Sequence, residues 1–265
     1  MANKNSKLNI SALILAKNEQ QQLEDCLKQL DFVKEIIVLD QNSTDNTRRI
    51  AEKYAGKIIN SNSGNFAKNR DMLAAAAAHE WLFYLDPDER IDDKLVGEIK
   101  KTVEEGNLST CYIPRKNIIL GKWLKHGGWW PDYVPRLFKK ESLIAWYGEV
   151  HESPQFKGEA TYLKNAITHL TARSLDQMLK KSIVWGQIEA RLYHRAKYPK
   201  VTIFRLIKAA GREFTTRYFL KLGLLDGTVG LIQAIYQALH QAIILIYLWE
   251  IQTNSKEKFK SAAND

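Results

Sequence analysis

The sequence predicts an α/β protein, an open and mostly parallel sheet with helices on its faces. Three observations carry that reading. Apolar runs of strand length recur at Leu8–Ala16, 35–40, Lys57–Asn60 and 81–85. Helical spacing fills the intervals, as in Leu23, Cys26, Leu27 and Leu30. The runs stop abruptly at polar or acidic residues: Lys17-Asn18-Glu19, Asp40, and Asp86-Pro87-Asp88-Glu89. Strands joined through helices pair in parallel with a right-handed crossover. Their carboxyl ends then share one edge, which is where open α/β sheets bind ligands.

Composition fits this class. With 265 residues, 45% of them hydrophobic and 26% charged, the chain can bury a real core. Its formal charge of +9 implies anionic partners. Zinc-ligand spacing, RNA-binding aromatic signatures and helix-turn-helix patterns are missing, so nucleic acid is not expected. Cys26 and Cys111 lie in apolar periodic runs and read as buried free thiols, which suits a reducing cytoplasm. Residues 1–9 are polar and do not look like an export signal.

After the second strand, the small polar residues 41–47 supply turns and helix caps. A helix to about Ala55, a short strand at Lys57–Asn60 and an Ala-rich helix opened by residues 64–71 deliver the chain to Trp81. Asp86 and Asp88, separated by the rigid Pro87, form an Asp-x-Asp element. Such a pair can share a hard divalent cation that also holds phosphate oxygens, or it can be a solvated turn. Asp40 either contacts a ligand at the same edge or caps the following helix. A capped helix at 92–105 and short strands at 110–114 and 118–120 come next.

Taken in order, Ala16-Lys17-Asn18-Glu19, residues 40–45, Phe66-Ala67-Lys68-Asn69-Arg70 and residues 81–89 resemble glycosyltransferase family 2, which has the GT-A fold. The similarity is greatest to its lipopolysaccharide-core glucosyltransferase-like branch. Tyr133-Val134-Pro135-Arg136-Leu137-Phe138 and residues 147–152 continue it, and residues 220–227 resemble the tail of that branch. Asn42, Asp71 and Pro87 depart from the family pattern, and Asn tolerates a left-handed turn.

The resemblance implies an inverting, metal-dependent transfer of a sugar, most commonly a hexose carried on UDP, to a hydroxyl of a cell-envelope glycan or glycolipid. Asn18, Glu19 and Asp40 would hold the base and ribose. Arg70 would meet the diphosphate or sugar, and Asp86 the ribose or metal. Asp88 would be the principal ligand of Mg²⁺ or Mn²⁺. Glu152 would be the general base, with Glu149 and then Asp132 behind it. His169 is either a third metal ligand or a hydrogen-bonded structural residue. Trp129, Trp130 and Arg136 would face the acceptor, although the tryptophan-rich loop 121–130 also reads as a rim packed on the core or at a membrane interface. Two alternatives belong to other classes: a catalytically silent nucleotide-sugar-binding scaffold at a membrane, and a sugar-1-phosphate nucleotidylyltransferase. The second lacks its Gly-rich phosphate loop, since Lys17-Asn18-Glu19-Gln20 stands there.

The expected organisation is a transferase domain over 1–172, a helical extension over 173–252 and a disordered tail over 253–265. Ser174 caps a long helix, and Arg205, Lys208 and Arg212 share one face of a second. Residues 228–249 carry no charge, but Gln233, Gln237, His240 and Gln241 form a polar stripe. The extension is therefore expected to lie on an anionic membrane surface at the cytoplasmic face of the cell membrane rather than to span it, or else to pack on the core or in a homo-oligomer.

Overall fold

The computed structural model describes residues 7–148 and 152–261. It forms two compact units: the chain up to Lys116 together with Pro131–Leu170, and Asn117–Trp130 together with the chain from Thr171 on. The boundary expected after residue 172 lies beside the observed one, but the tryptophan loop groups with the second unit.

The first unit alternates strands and helices: β1 Leu8–Ala16, α1 Leu23–Lys28, β2 Val33–Asp40, α2 Thr47–Tyr54, β3 Lys57–Asn60, α3 Phe66–Ala76, β4 Trp81–Tyr84, β5 Glu89–Arg90 and α4 Asp93–Glu105. There follow in chain order β6 Thr110–Ile119, β7 Lys122–Trp123, which falls in the second unit, then β8 Asp132–Lys139, β9 Leu143–Tyr147, β10 Ser153–Phe156, β11 Ala160–Tyr162 and β12 Ile167–Ala172. The sheet order is β3-β2-β1-β4-β8-β6-β12-β5. Its first four strands are parallel, as the crossovers require. From β4 onward the pairing turns antiparallel with β8 and β6, so the sheet is mixed. Proline does not break β6 at Pro114, which pairs with Tyr133: it forfeits one donor without ending the strand, and the two short strands expected here are one.

Alternation along the strands serves both faces. Ile10, Ala12, Ile14, Val38, Trp81 and Phe83 pack with Leu23, Cys26 and Leu27 of α1, Ala51 of α2, and Leu95 and Ile99 of α4. Leu13, Leu15, Ile37, Leu39, Leu82 and Tyr84 pack with Ala67 and Leu73 of α3, and with Phe138 and Trp146. Two-sided burial explains why β1, β2 and β4 read as continuous apolar runs. Asn65 and Asp92 cap α3 and α4 by accepting the Lys68 and Leu95 amides at 2.9 Å.

The second unit contains α5 Leu175–Arg195, α6 Ile203–Thr215 and α7 Gly227–Ser261. Ser174 caps α5 by accepting the Gln177 amide, as its position suggested. α7 continues through Thr253, where a tail was expected. Gly186 on α5 faces α7, where an added Cβ would lie 2.9 Å from Ile243. The polar stripe of α7 is used inside this unit. Gln233 is buried, His240 Nε2 lies 3.6 Å from Glu189 of α5, and the Tyr236 hydroxyl donates to Met178 O at 2.8 Å.

Both thiols are buried, and burial pushes Cys26 up and Cys111 up to about 12. A disulfide-exchange reagent such as DTNB at neutral pH is therefore expected to find no reactive thiol in the native protein and two after denaturation. Rapid titration of either thiol in the native state would contradict this packing.

Candidate active site

The parallel strands bring three loops to one edge. Ala16 is in register with Asp40 on β1 and β2, and Leu13 with Tyr84 on β1 and β4. The loops after these strands, carrying Asn18, Asp40 and Asp86, therefore leave the sheet side by side. Asn18 and Asn42 adopt left-handed backbone, at φ 55° and 53°, which asparagine tolerates. Asn18 Oδ1 accepts the Thr44 amide at 2.8 Å, and its own amide donates to Ser43 Oγ at 2.9 Å. Ser43 Oγ in turn donates to the buried Asp40 at 2.6 Å. Asp40 thus braces the turn beyond it, and the Glu19 amide donates to Thr47 at 2.7 Å. Asn18, Glu19 and Asp40 belong to one hydrogen-bonded rim.

The acidic turn between β4 and β5 is held by alternating charges. Arg70 Nε donates to Glu152 Oε1 at 2.9 Å, and Arg70 Nη2 lies 3.4 Å from Asp86. Arg136 Nη2 reaches both Asp86 and Glu89. Arg115 lies 3.9 Å from Glu89 and donates to Asp132 at 2.7 Å. Burial opposes the charge on Asp86, but the Arg136 and Arg70 guanidiniums outweigh it and hold this carboxyl well below the usual carboxylate range. Burial likewise opposes the charge on Arg136, and Asp86 and Glu89 outweigh it upward. Arg70 is fixed on its other side by aromatic faces, 4.9 Å from the Trp146 ring and 5.5 Å from Tyr84. The Tyr84 hydroxyl donates to Arg70 O and accepts from the Trp146 indole.

Several expected residues meet here: Arg70, Asp86, Arg136 and Glu152 form one chain of ion pairs. Arg136, expected to face the acceptor, is only 4% exposed and spans Asp86 and Glu89, so its guanidinium braces the acidic turn. Asp88 points elsewhere. His169 Nε2 lies 3.4 Å from Asp88 Oδ2, and the Leu170 amide donates to Asp88 O at 2.8 Å. The antiparallel pair of His169 with Glu89 between β12 and β5 creates that approach. Among the described residues no three His, Cys, Asp or Glu side chains cluster as a metal site. Asp88 and His169 nevertheless present a carboxylate oxygen and an imidazole nitrogen, donor types that Mn²⁺ accepts alongside phosphate oxygens and water.

Trp129 and Trp130 lie in the second unit. Trp129 packs there beneath Arg217, 5.5 Å from its ring, and Trp130 stands edge-on to Trp123 at 5.3 Å. Asp226 organises their loop, accepting the Lys125 and His126 amides. The alternative base, Glu149, lies outside the described residues.

Sequence reasoning passed over Glu89 as a site residue. Fully buried, it accepts the Asp86 amide at 3.0 Å and meets Arg136. A third carboxylate in the turn after a buried strand was the available signal. Removing one partner of a buried pair leaves the other uncompensated, at about 3–5 kcal/mol. Glu89→Ala is expected to cost that much in urea unfolding, whereas Glu52→Ala, at an exposed pair with Arg48, should cost less than about 0.5 kcal/mol. Equal effects would deny the network its structural role.

The sequence model of the family described as glycosyl transferase family 2 matches residues 11–170. An uncharacterised glycosyltransferase of Rickettsia conorii is 25% identical, covering 98% of this chain and 96% of its own. A lipopolysaccharide core biosynthesis glycosyltransferase, LpsC, of Rhizobium meliloti is 31% identical over 94 residues, 34% of this chain and 35% of that protein. Staphylococcus aureus TarS 1-349 in complex with UDP-GlcNAc aligns with a TM-score of 0.46 at 14% identity, covering 95% of this chain and 92% of that one. Because the family match spans more than half of the chain and contains the ion-pair chain, the rim at Asn18 and Asp40, and the Asp88–His169 pair, the chain belongs to glycosyl transferase family 2.

Proposed function

We propose that this glycosyltransferase moves a hexose from a UDP-sugar to a hydroxyl of a cell-envelope glycan or glycolipid, with inversion, at the cytoplasmic face of the membrane. The observation that carries the reading is the ion-pair chain joining Glu152, Arg70 and Asp86 at the carboxyl edge of the parallel strands. It sets a carboxylate, a buried guanidinium and the acidic turn side by side.

In this reading the rim of Asn18, Glu19 and Asp40 receives the uracil and ribose. Asp88 and His169 would hold Mg²⁺ or Mn²⁺, which when bound supplies positive charge for the leaving diphosphate. The acceptor hydroxyl attacks the anomeric carbon from the face opposite the diphosphate. Glu152 takes its proton as the new C–O bond forms and the bond to the diphosphate oxygen breaks, releasing the nucleoside diphosphate. While Arg70 donates to Glu152, that carboxylate is tied up as an acceptor. A donor diphosphate that competes for the Arg70 guanidinium would loosen its hold on the carboxylate and leave it to the acceptor hydroxyl, so the donor is expected to bind first. Asp86, clamped by two guanidiniums, supports the turn that carries Asp88.

The membrane part of the reading rests on α6 and α7. Gly223–Asn254 is long and apolar enough to cross a bilayer by length and composition. Within the unit Gln233 of α7 is buried and His240 lies 3.6 Å from Glu189 of α5, which supports a packed arrangement lying on the membrane.

Two variants test the catalytic assignment. Glu152→Gln should keep donor affinity and lose about 10²–10⁴-fold in turnover, measured as released UDP against acceptor, because the amide cannot take the proton. A loss below about tenfold would move the base elsewhere. Asp88→Ala should abolish the Mn²⁺ dependence of UDP binding in a thermal-shift titration, since a ligand that binds only the folded state raises its melting temperature. Metal-dependent UDP binding that persisted in Asp88→Ala would remove Asp88 from the ion's ligands.

A further inference from the structure

The second unit leaves an apolar surface that the transfer reaction does not use. α6 buries none of its residues fully. At 100° per residue, Ile203, Phe204, Ile207 and Phe214 fall in one sector, and Lys208, Arg212 and Arg205 in the sector beside it. Leu206 and Ala209 turn to α7. A soluble helix turns its apolar sector inward, but here Ile203 is 80% exposed, Phe204 70% and Ile207 63%. Arg205, Lys208 and Arg212 are exposed beside them. An apolar sector bordered by cations is the arrangement of a helix lying in a membrane interface.

Between the first turn of α6 and α7 runs a groove of about 310 Å³, lined by Val201, Thr202, Ile203, Leu206, Ile246 and Trp249. The polar group of Thr202 is engaged as the α6 cap, accepting the Arg205 amide at 3.3 Å. Such walls are mainly hydrocarbon, which suits an acyl chain better than a nucleotide or sugar that needs several hydrogen-bond partners. The exposed Lys200 directly precedes Val201 of the groove, and the basic sector of α6 carries the exposed Arg205 and Lys208.

We propose that this groove takes one acyl chain of an anionic phospholipid, with α6 in the interface and Lys200, Arg205 and Lys208 at the level of the headgroup. The inference rests on the membrane reading above and gives it a specific site: the protein holds a single lipid as well as adhering to a charged surface.

The test uses the full chain and two probes. The first is flotation with vesicles of phosphatidylcholine alone or mixed with phosphatidylglycerol. The second is calorimetric titration with dihexanoyl-phosphatidylglycerol below its micelle concentration, which offers a chain without a bilayer. Wild type should float only with the anionic vesicles, be partly released by salt, and bind the short-chain lipid. Ile246→Trp fills the groove from a half-exposed position. It should weaken short-chain binding by more than about tenfold, because the chain's methylenes lose their apolar contact, and still float with unchanged melting temperature. Phe204→Glu should abolish flotation through the exposed face.

Equal short-chain binding by wild type and Ile246→Trp would overturn the groove assignment while leaving the membrane reading standing. Failure of wild type to float with anionic vesicles would sink the membrane reading itself. A concentration-dependent dimer abolished by Ile246→Trp, with no lipid binding, would assign the groove to a second copy of this chain and equally overturn the proposal.

Discussion

Everything at the carboxyl edge of the parallel strands depends on how four carboxylates are kept together out of bulk water. Glu152, Asp86, Glu89 and Asp132 alternate with Arg70, Arg136 and Arg115, so each acid has a cation between it and the next. Without the guanidiniums, a buried Glu89 beside Asp86 would face both desolvation and like-charge repulsion. With them, Asp86 remains ionised and its turn is rigid, and Asp88 is presented on the other side toward His169. Arginine suits this position because its planar fork serves two carboxylates at once and stays charged when buried.

The same network divides the work within the Asp-x-Asp element. Two acids one residue apart look interchangeable in a sequence, but strand geometry sends them to different surroundings. Asp86 is absorbed into the ion-pair chain, and Asp88 meets an imidazole brought over by β12. The proposed function accordingly places cation binding at Asp88 beside His169 and gives Asp86, held by Arg70 and Arg136, a supporting role.

The second unit solves a different problem. A helix as apolar as α7 that also carries Gln233, Gln237, His240 and Gln241 must hide its polar stripe if it meets hydrocarbon, and α5 supplies the cover through Ser182, Glu189 and the close approach at Gly186. The consequence is that Ser182, Glu189 and His240 sit beside an apolar interhelical core of Ala190, Val201, Leu245 and Leu248, while Ile203, Phe204, Ile246 and Trp249 stay exposed. Of the basic residues here, Arg205, Lys208 and Arg212 are exposed, whereas Arg217 is tied to Glu213, Gly127 O and the Trp129 ring.

How much was legible in the sequence follows from the range of each interaction. The strands β1, β2 and β4, the caps Asp92 and Ser174, and the polar edge at Asn18, Asp40 and Asp86 are written in local pattern, because apolar periodicity, capping and crossover handedness act over a few residues. The family motifs added Glu152 and Arg70 by resemblance. The mixed half of the sheet, the continuous β6 through Pro114, and the grouping of 117–130 with the C-terminal helices were decided only by tertiary structure. So were the partnering of Arg136 with Asp86 and Glu89 and that of His169 with Asp88. Each of these joins residues tens of positions apart, and the free energy that selects them comes from burying charge against charge, which no local spacing encodes.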